Sequence, residues 1–217
     1  MEFHHVINRG VDKRVTFQDD KDYLRFLQNL HIYNNIESAP HNVWSTSARM
    51  KARAEQKLVT IHAYCLMPNH YHLLLSPVCE NGITKFMHKV GMGYAKYFNE
   101  KNTRTGVLWQ GKYKCVDITK DAHFNFIPYY IHLNPLDLSH RQWRDGTITN
   151  TQKVLSVLNS YKWSSHNVFM NPENVPKSLV ADSFIAKEIN QMKYISEIKN
   201  IISDKHLAQY SNNIELK

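Results

Sequence analysis

Apolar and polar positions change their period several times along the chain, and each change marks an element. Phe3 to Arg9 (FHHVINR) is short, rich in large and β-branched side chains, and closed by Gly10, which predicts a first strand. Asp19 and Asp20 then precede Tyr23, Phe26, Leu27, Leu30 and Tyr33, an apolar stripe at helical spacing behind an acidic start. From Glu37 to about Lys57 periodicity is lost among Ser, Pro, Asn, Arg and Lys, so a basic loop or insertion is expected, with some helical character near Met50 to Gln56. Val59 to Met67 is strand-like, Pro68-Asn69 is a turn signal, and His70 to Leu75 is a second run, together a hairpin.

Ile83, Phe86, Met87, Val90, Tyr94, Tyr97 and Phe98 recur at helical spacing, with Lys85, His88, Lys89 and Lys96 on the other face. Gly106 to Asp117 reads as a loop entering a strand, and Lys120 to Asn134 as a helix stopped by Pro135. The order is β, α, β, β, α, β, α. Beyond Leu138 the sequence is polar and loop-like up to Tyr161-Lys162-Trp163-Ser164-Ser165. A Pro-containing link around Asn171 to Pro176 follows. Ile185, Ile189, Met192, Ile195, Ile198 and Ile202 then predict one amphipathic helix that packs its stripe on the rest.

A chain of 217 residues, 42% hydrophobic and 12% aromatic, can build one sizeable core with an appendage. Lys and Arg number 27 against 19 Asp and Glu, a net charge of +8 that favours a polyanionic partner through counterion release. Three cysteines, Cys65, Cys79 and Cys115, lack CxxC spacing and read as reduced thiols. No stretch approaches the roughly 20 apolar residues of a membrane span, so a cytoplasmic protein is expected, nucleoid-associated when bound to DNA.

The sharpest local feature is Met67 to Leu75, MPNHYHLLL. Strand alternation sends His70 and His72 to one face and Tyr71, Leu73 and Leu75 to the other, so two imidazoles stand side by side and can share one metal. An isolated HxH is more often two polar residues on a hydrogen-bonded face. Pro128 to Pro135, PYYIHLNP, adds a second feature: in a helix Tyr130 and Asn134 share a face, while Tyr129 is turned away by about 100°. Any single helical Tyr is more often core.

Taken in order, FHHVINRG, LMPNHYHLLL, GVLWQGKYK, YIHLNP and YKWSS resemble the REP-associated tyrosine transposases, of the single-tyrosine HUH transposase superfamily. The resemblance covers roughly residues 3 to 166. It implies an α+β fold with a ferredoxin-like antiparallel sheet, helices on one face and a C-terminal helical extension. Residues 1–166 would be the catalytic domain and 167–217 the extension. It further implies His70 and His72 as ligands of Mg2+ or Mn2+, Asn134 as a third, helix-borne ligand, and Tyr130 as the nucleophile. Pro128 and Tyr129 stand where a basic residue is more usual, and a proline inside a helix removes a hydrogen bond and bends the axis.

A metal at the two histidines can polarise a phosphate and stabilise a leaving 3′ oxygen, which a phenol of pKa near ~10 needs as a partner in attack. The expected activity is therefore cleavage and rejoining of single-stranded DNA near hairpin repeats through a 5′-phosphotyrosine. Candidate DNA contacts are Arg9, Lys13 and Arg14, Lys85, Lys89 and Lys96, and Trp109, Lys112 and Lys114. Trp109 fits a packed loop as well as a base-stacking platform. Two other readings compete: a hairpin-binding regulatory protein with an inactive nuclease site, and a hydrolase using activated water. Either a monomer or a homodimer is compatible with the sequence.

Overall fold

The computed structural model describes residues 2–36, 56–171, 173 and 178–208. The basic segment expected over 37–57, including its helical stretch, lies outside them except for its last two residues. The fold is α+β, with strands β1 (Phe3–Arg9), β2 (Val59–Met67), β3 (His70–Pro77) and β4 (Lys114–Ile118) in one sheet of order β2-β3-β1-β4. Helix α1 (Asp20–Ile32) follows β1 and helix α2 (Gly82–Lys101) follows β3, giving the β-α-β-β-α-β order of a ferredoxin-like sheet. Two compact units emerge, Met1–Ile61 with Pro68–Asp117, and His62–Met67 with Ile118–Lys217.

In the first unit β1 and β3 pair antiparallel with His4 opposite Leu75, Ile7 opposite His72 and Arg9 opposite His70. Directly opposed residues share a face, so this register sorts the sheet. Val6, Tyr71, Leu73 and Leu75 face one way; His5, Ile7, Arg9, His70, His72 and Leu74 face the other. The first face carries the aromatic cluster in which Phe26 of α1 meets Tyr71 (ring centroids 4.9 Å) and Tyr94 of α2 (5.1 Å). Asp19 caps α1, its carboxylate accepting from the backbone N–H groups of Lys21 at 3.0 Å and Asp22 at 3.1 Å, as the acidic start predicts. Gly10 ends β1 where a Cβ would lie 2.4 Å from the Arg14 carbonyl oxygen, so the turn after the strand closes only around glycine.

In the second unit helix α3 spans Asp121–Leu133 and contains Pro128 without interruption. Two short 3-10 turns, Asn134–Leu138 and Arg141–Asp145, follow it. Next come α4 (Thr151–Ser160), α5 (His166–Met170), α6 (Phe184–Glu188) and α7 (Gln191–Ser203). The YKWSS segment lies against the outer edge of β2: Leu66 N–H donates to the Trp163 carbonyl at 2.9 Å and Ser165 N–H to the Tyr64 carbonyl at 3.0 Å. The apolar stripe from Ile185 to Ile202 is two helices, not one. α6 stops at Glu188, and the Asn190 side chain accepts from Met192 N–H at 2.8 Å, starting α7 afresh. No helix among the described residues is long and apolar enough to cross a membrane.

Candidate active site

β3 places His70 and His72 on one face, as alternation requires, with ring centroids 5.0 Å apart and ring planes at 79°. His72 is buried and His70 half-buried. The sequence reading missed the third imidazole. His5 of β1 is fully buried on the same face, stacks on His72 at 5.2 Å, and its Nε2 lies 3.0 Å from His72 Nδ1. Burial pushes the His5 ring down to about 3, so it stays neutral. With its proton on Nδ1, His5 accepts through Nε2 from His72 Nδ1–H, and that tautomer leaves Nε2 of His72 unprotonated. His70 is oriented through its own Nδ1, 2.7 Å from Asn69 Oδ1. The doubled histidine in FHHVINR was the available signal; the β1–β3 register that makes it meaningful was not readable.

Arg9 stands across from His70 on this face, a half-buried cation beside the histidine pair. Other candidate DNA contacts of the first unit are spread more widely. Lys13, Arg14, Lys85, Lys96, Lys112 and Lys114 are exposed. Lys89 is turned to the protein, donating to the carbonyls of Asn35 at 2.6 Å and Ile36 at 3.3 Å. Trp109 is 9% exposed, its ring near Tyr71 (5.3 Å) and Tyr94 (5.8 Å) and its Nε1–H on the Gly91 carbonyl at 3.3 Å. Of the two roles open to it, this packing is that of a core residue.

Tyr130 and Asn134 belong to the second unit. Tyr130 is fully buried, with Phe126 and Trp143 at 6.2 Å and the Arg144 guanidinium 5.6 Å from its ring centroid. Asn134 ends α3, its amide donating to the Tyr130 carbonyl at 2.8 Å, while its Oδ1 accepts from Arg144 at 3.4 Å. Arg144 in turn pairs with Asp137, whose Oδ1 also accepts from Trp143 Nε1–H at 2.8 Å. The side-chain oxygen expected to bind metal is thus engaged by an arginine in this conformation. Two residues along α3 from Tyr130 and on another face, His132 is bonded at both nitrogens, Nε2 to Ser165 Oγ at 2.7 Å and Nδ1 to the Tyr194 hydroxyl at 2.8 Å.

Residues 45–134 match the family model described as "Transposase IS200 like". The resemblance drawn from the motifs is borne out over that stretch, which contains His70, His72, Tyr130 and Asn134. FHHVINRG and YKWSS lie outside it. Among solved structures, a REP-associated tyrosine transposase bound to a REP hairpin is similar at 10% identity, covering 76% of this chain and 77% of that one, with a TM-score of 0.47. A likeness that distant supports no argument about mechanism. No curated protein matches the chain.

Proposed function

We propose that this transposase-like chain is a metal-dependent endonuclease and strand transferase that cuts single-stranded DNA near hairpin repeats, with Tyr130 as nucleophile. The observation that carries the reading is His72, a strand-borne imidazole beside His70 whose Nδ1 is keyed by His5 at 3.0 Å. A ring nitrogen that fixes its neighbour's tautomer from behind gives the support that metal-binding imidazoles receive. The hairpin preference rests on the motif resemblance.

A divalent ion, Mg2+ or Mn2+, held by His70 and His72 would supply positive charge to the scissile phosphate and the leaving oxygen. Two protein ligands leave positions for substrate oxygens and water, so the donor set fits the role. Arg9, across from His70, holds a non-bridging phosphate oxygen by a charge-assisted hydrogen bond. Tyr130 loses its phenolic proton and attacks phosphorus, forming a 5′-phosphotyrosine, while the departing 3′ oxygen gains a proton. One phosphodiester replaces another, so the reverse step rejoins strands without an energy cofactor. Because Tyr130 is fully buried here, the reaction requires a state in which its phenol leaves the enclosure of Phe126, Trp143 and Arg144.

That burial, with Asn134 held by Arg144, favours a second reading: a hairpin-binding regulatory protein that does not cut. Incubation with labelled hairpin-bearing single strands and Mn2+, followed by denaturing electrophoresis, separates the two. The proposal expects a protein–DNA adduct that Tyr130→Phe abolishes. Binding with neither adduct nor cleavage supports the regulatory reading. Cleavage that persists in Tyr130→Phe removes the tyrosine and leaves a water-using hydrolase.

A further inference from the structure

β1 and β4 bring together three side chains that take no part in the reaction proposed above. Cys115 and Asp117 stand two apart on β4, so both project from one side of that strand. His4 lies on β1, the neighbouring strand, with Nδ1 2.8 Å from Asp117 Oδ1. One donor atom from each of His4, Cys115 and Asp117 falls within 4.8 Å of the others. Glu2 brings a second carboxylate, Oε2 being 3.9 Å from His4 Nε2.

We propose that His4, Cys115 and Asp117 form a binding site for a borderline-soft divalent cation of the Zn2+ type, separate from the histidine pair on β3. The donor set decides the class of ion. One sulfur, one imidazole nitrogen and one carboxylate oxygen suit Zn2+, whereas Mg2+ prefers oxygen alone. A surface His–Asp pair contributes little by itself, and a nearby thiol adds nothing to that pair. A cation uses all three together, and water fills the fourth position of a tetrahedron.

Binding releases the Cys115 proton to solvent, because a thiol ligates as thiolate, and takes His4 as a neutral donor. The structural consequence is local. β4 is an edge strand whose residues Lys114 to Asp117 are all exposed, and a cation shared with His4 clips that edge to β1.

The test is a titration of the metal-free, reduced full-length protein with Co2+, a spectroscopic stand-in for Zn2+. The expected result is a thiolate-to-cobalt charge-transfer band that saturates at one equivalent and is bleached by Zn2+. Cys115→Ser removes the band. His4→Ala or Asp117→Asn weakens Co2+ binding by about tenfold or more. The double variant His70→Ala/His72→Ala keeps the band, with circular dichroism confirming that every variant is folded. Absence of the band in wild type at excess Co2+ overturns the site. So does its survival in Cys115→Ser, which points to Cys65 or Cys79, and so does its loss in the double variant, which assigns the ion to β3.

Discussion

Histidines are buried in both units, but they are bonded in different ways. In the second unit His132 and His166 are saturated: His132 contacts Ser165 and Tyr194, and His166 contacts Tyr194 at 2.9 Å and Asn159 at 2.9 Å. These rings complete a closed polar network that ties α3 to α5 and α7. In the first unit His5, His70 and His72 sit in a row on one sheet face, and the bond between His5 and His72 aligns one imidazole through another. A network with every donor and acceptor matched is architecture, whereas a row of imidazoles oriented from behind is the arrangement we propose as a ligand set.

The largest effect should come from breaking the saturated network. His132→Ala deletes a fully buried ring and two hydrogen bonds and removes its edge contact with Phe169 at 4.6 Å. A loss of about 4 kcal/mol is expected in urea unfolding. Mn2+ affinity of the folded variant should stay that of wild type. An unfolding midpoint equal to wild type would show the network to be ornamental, and a parallel loss of metal binding would erase the distinction between the two groups.

Acid probes the second unit's buried rings, as it also does His5 of the first. Burial lowers His62 to about 4 and His166 to about 4, so both are neutral in the fold. Below pH about 6.5 the unfolded chain takes up protons that the folded chain refuses, so stability is complete at neutral pH and falls as pH drops towards 4. Each ring contributes up to about 3 kcal/mol to that loss. His166→Gln should flatten the slope between pH 6.5 and 4; an unchanged slope would exclude His166 as a source.

A smaller, more specific effect belongs to the first unit. His5→Leu keeps bulk behind His72 but removes the acceptor for its Nδ1. Mn2+ affinity, read by electron paramagnetic resonance of the free ion, should fall by about 10- to 100-fold, and His5→Gln should recover part of it. Equal affinity in His5→Leu and wild type would leave His5 with packing alone.

These contrasts were only partly legible in the sequence. β1 and β2 fall where their apolar runs and closing Gly or Pro-Asn signals put them, because alternation and turn chemistry are local. The HxH pair was readable for the same reason. His5 was not, since its meaning depends on which residue of β3 it faces. α4 was missed because Val154 and Leu158 are its only buried side chains in a polar, ten-residue stretch. The C-terminal stripe read as one helix because periodicity runs on across Ile189 and Asn190, while the cap that breaks it depends on a single side chain. Burial is the default for a helical Tyr, but the face of α3 that carries Tyr130 was hidden for the opposite reason: Phe126, Ile127, Tyr129, Ile131 and Leu133 surround it, so α3 is apolar all round and no stripe marks a core face.

The smallest effect tests whether the scaffold beneath the histidine row can be weakened without touching the row itself. Asp19 accepts two backbone N–H groups at the start of α1 and pairs with Lys101 of α2 at 2.9 Å; the Lys101 hydrogen bond is the main reason its carboxyl lies below the usual range. Asp19→Ala should therefore cost about 1 kcal/mol through loss of the cap. Asp19→Asn retains an acceptor and should cost less. In wild type this contribution is present at neutral pH and disappears as acid protonates the lowered carboxyl, so the two proteins converge in stability at the acid end. Mn2+ affinity should be unchanged in both variants, because α1 packs on the Tyr71 face and the proposed ligands occupy the other. A metal affinity that falls together with the cap would mean that the two faces of the sheet are coupled, and the histidine row would then owe its alignment to the helices as much as to His5.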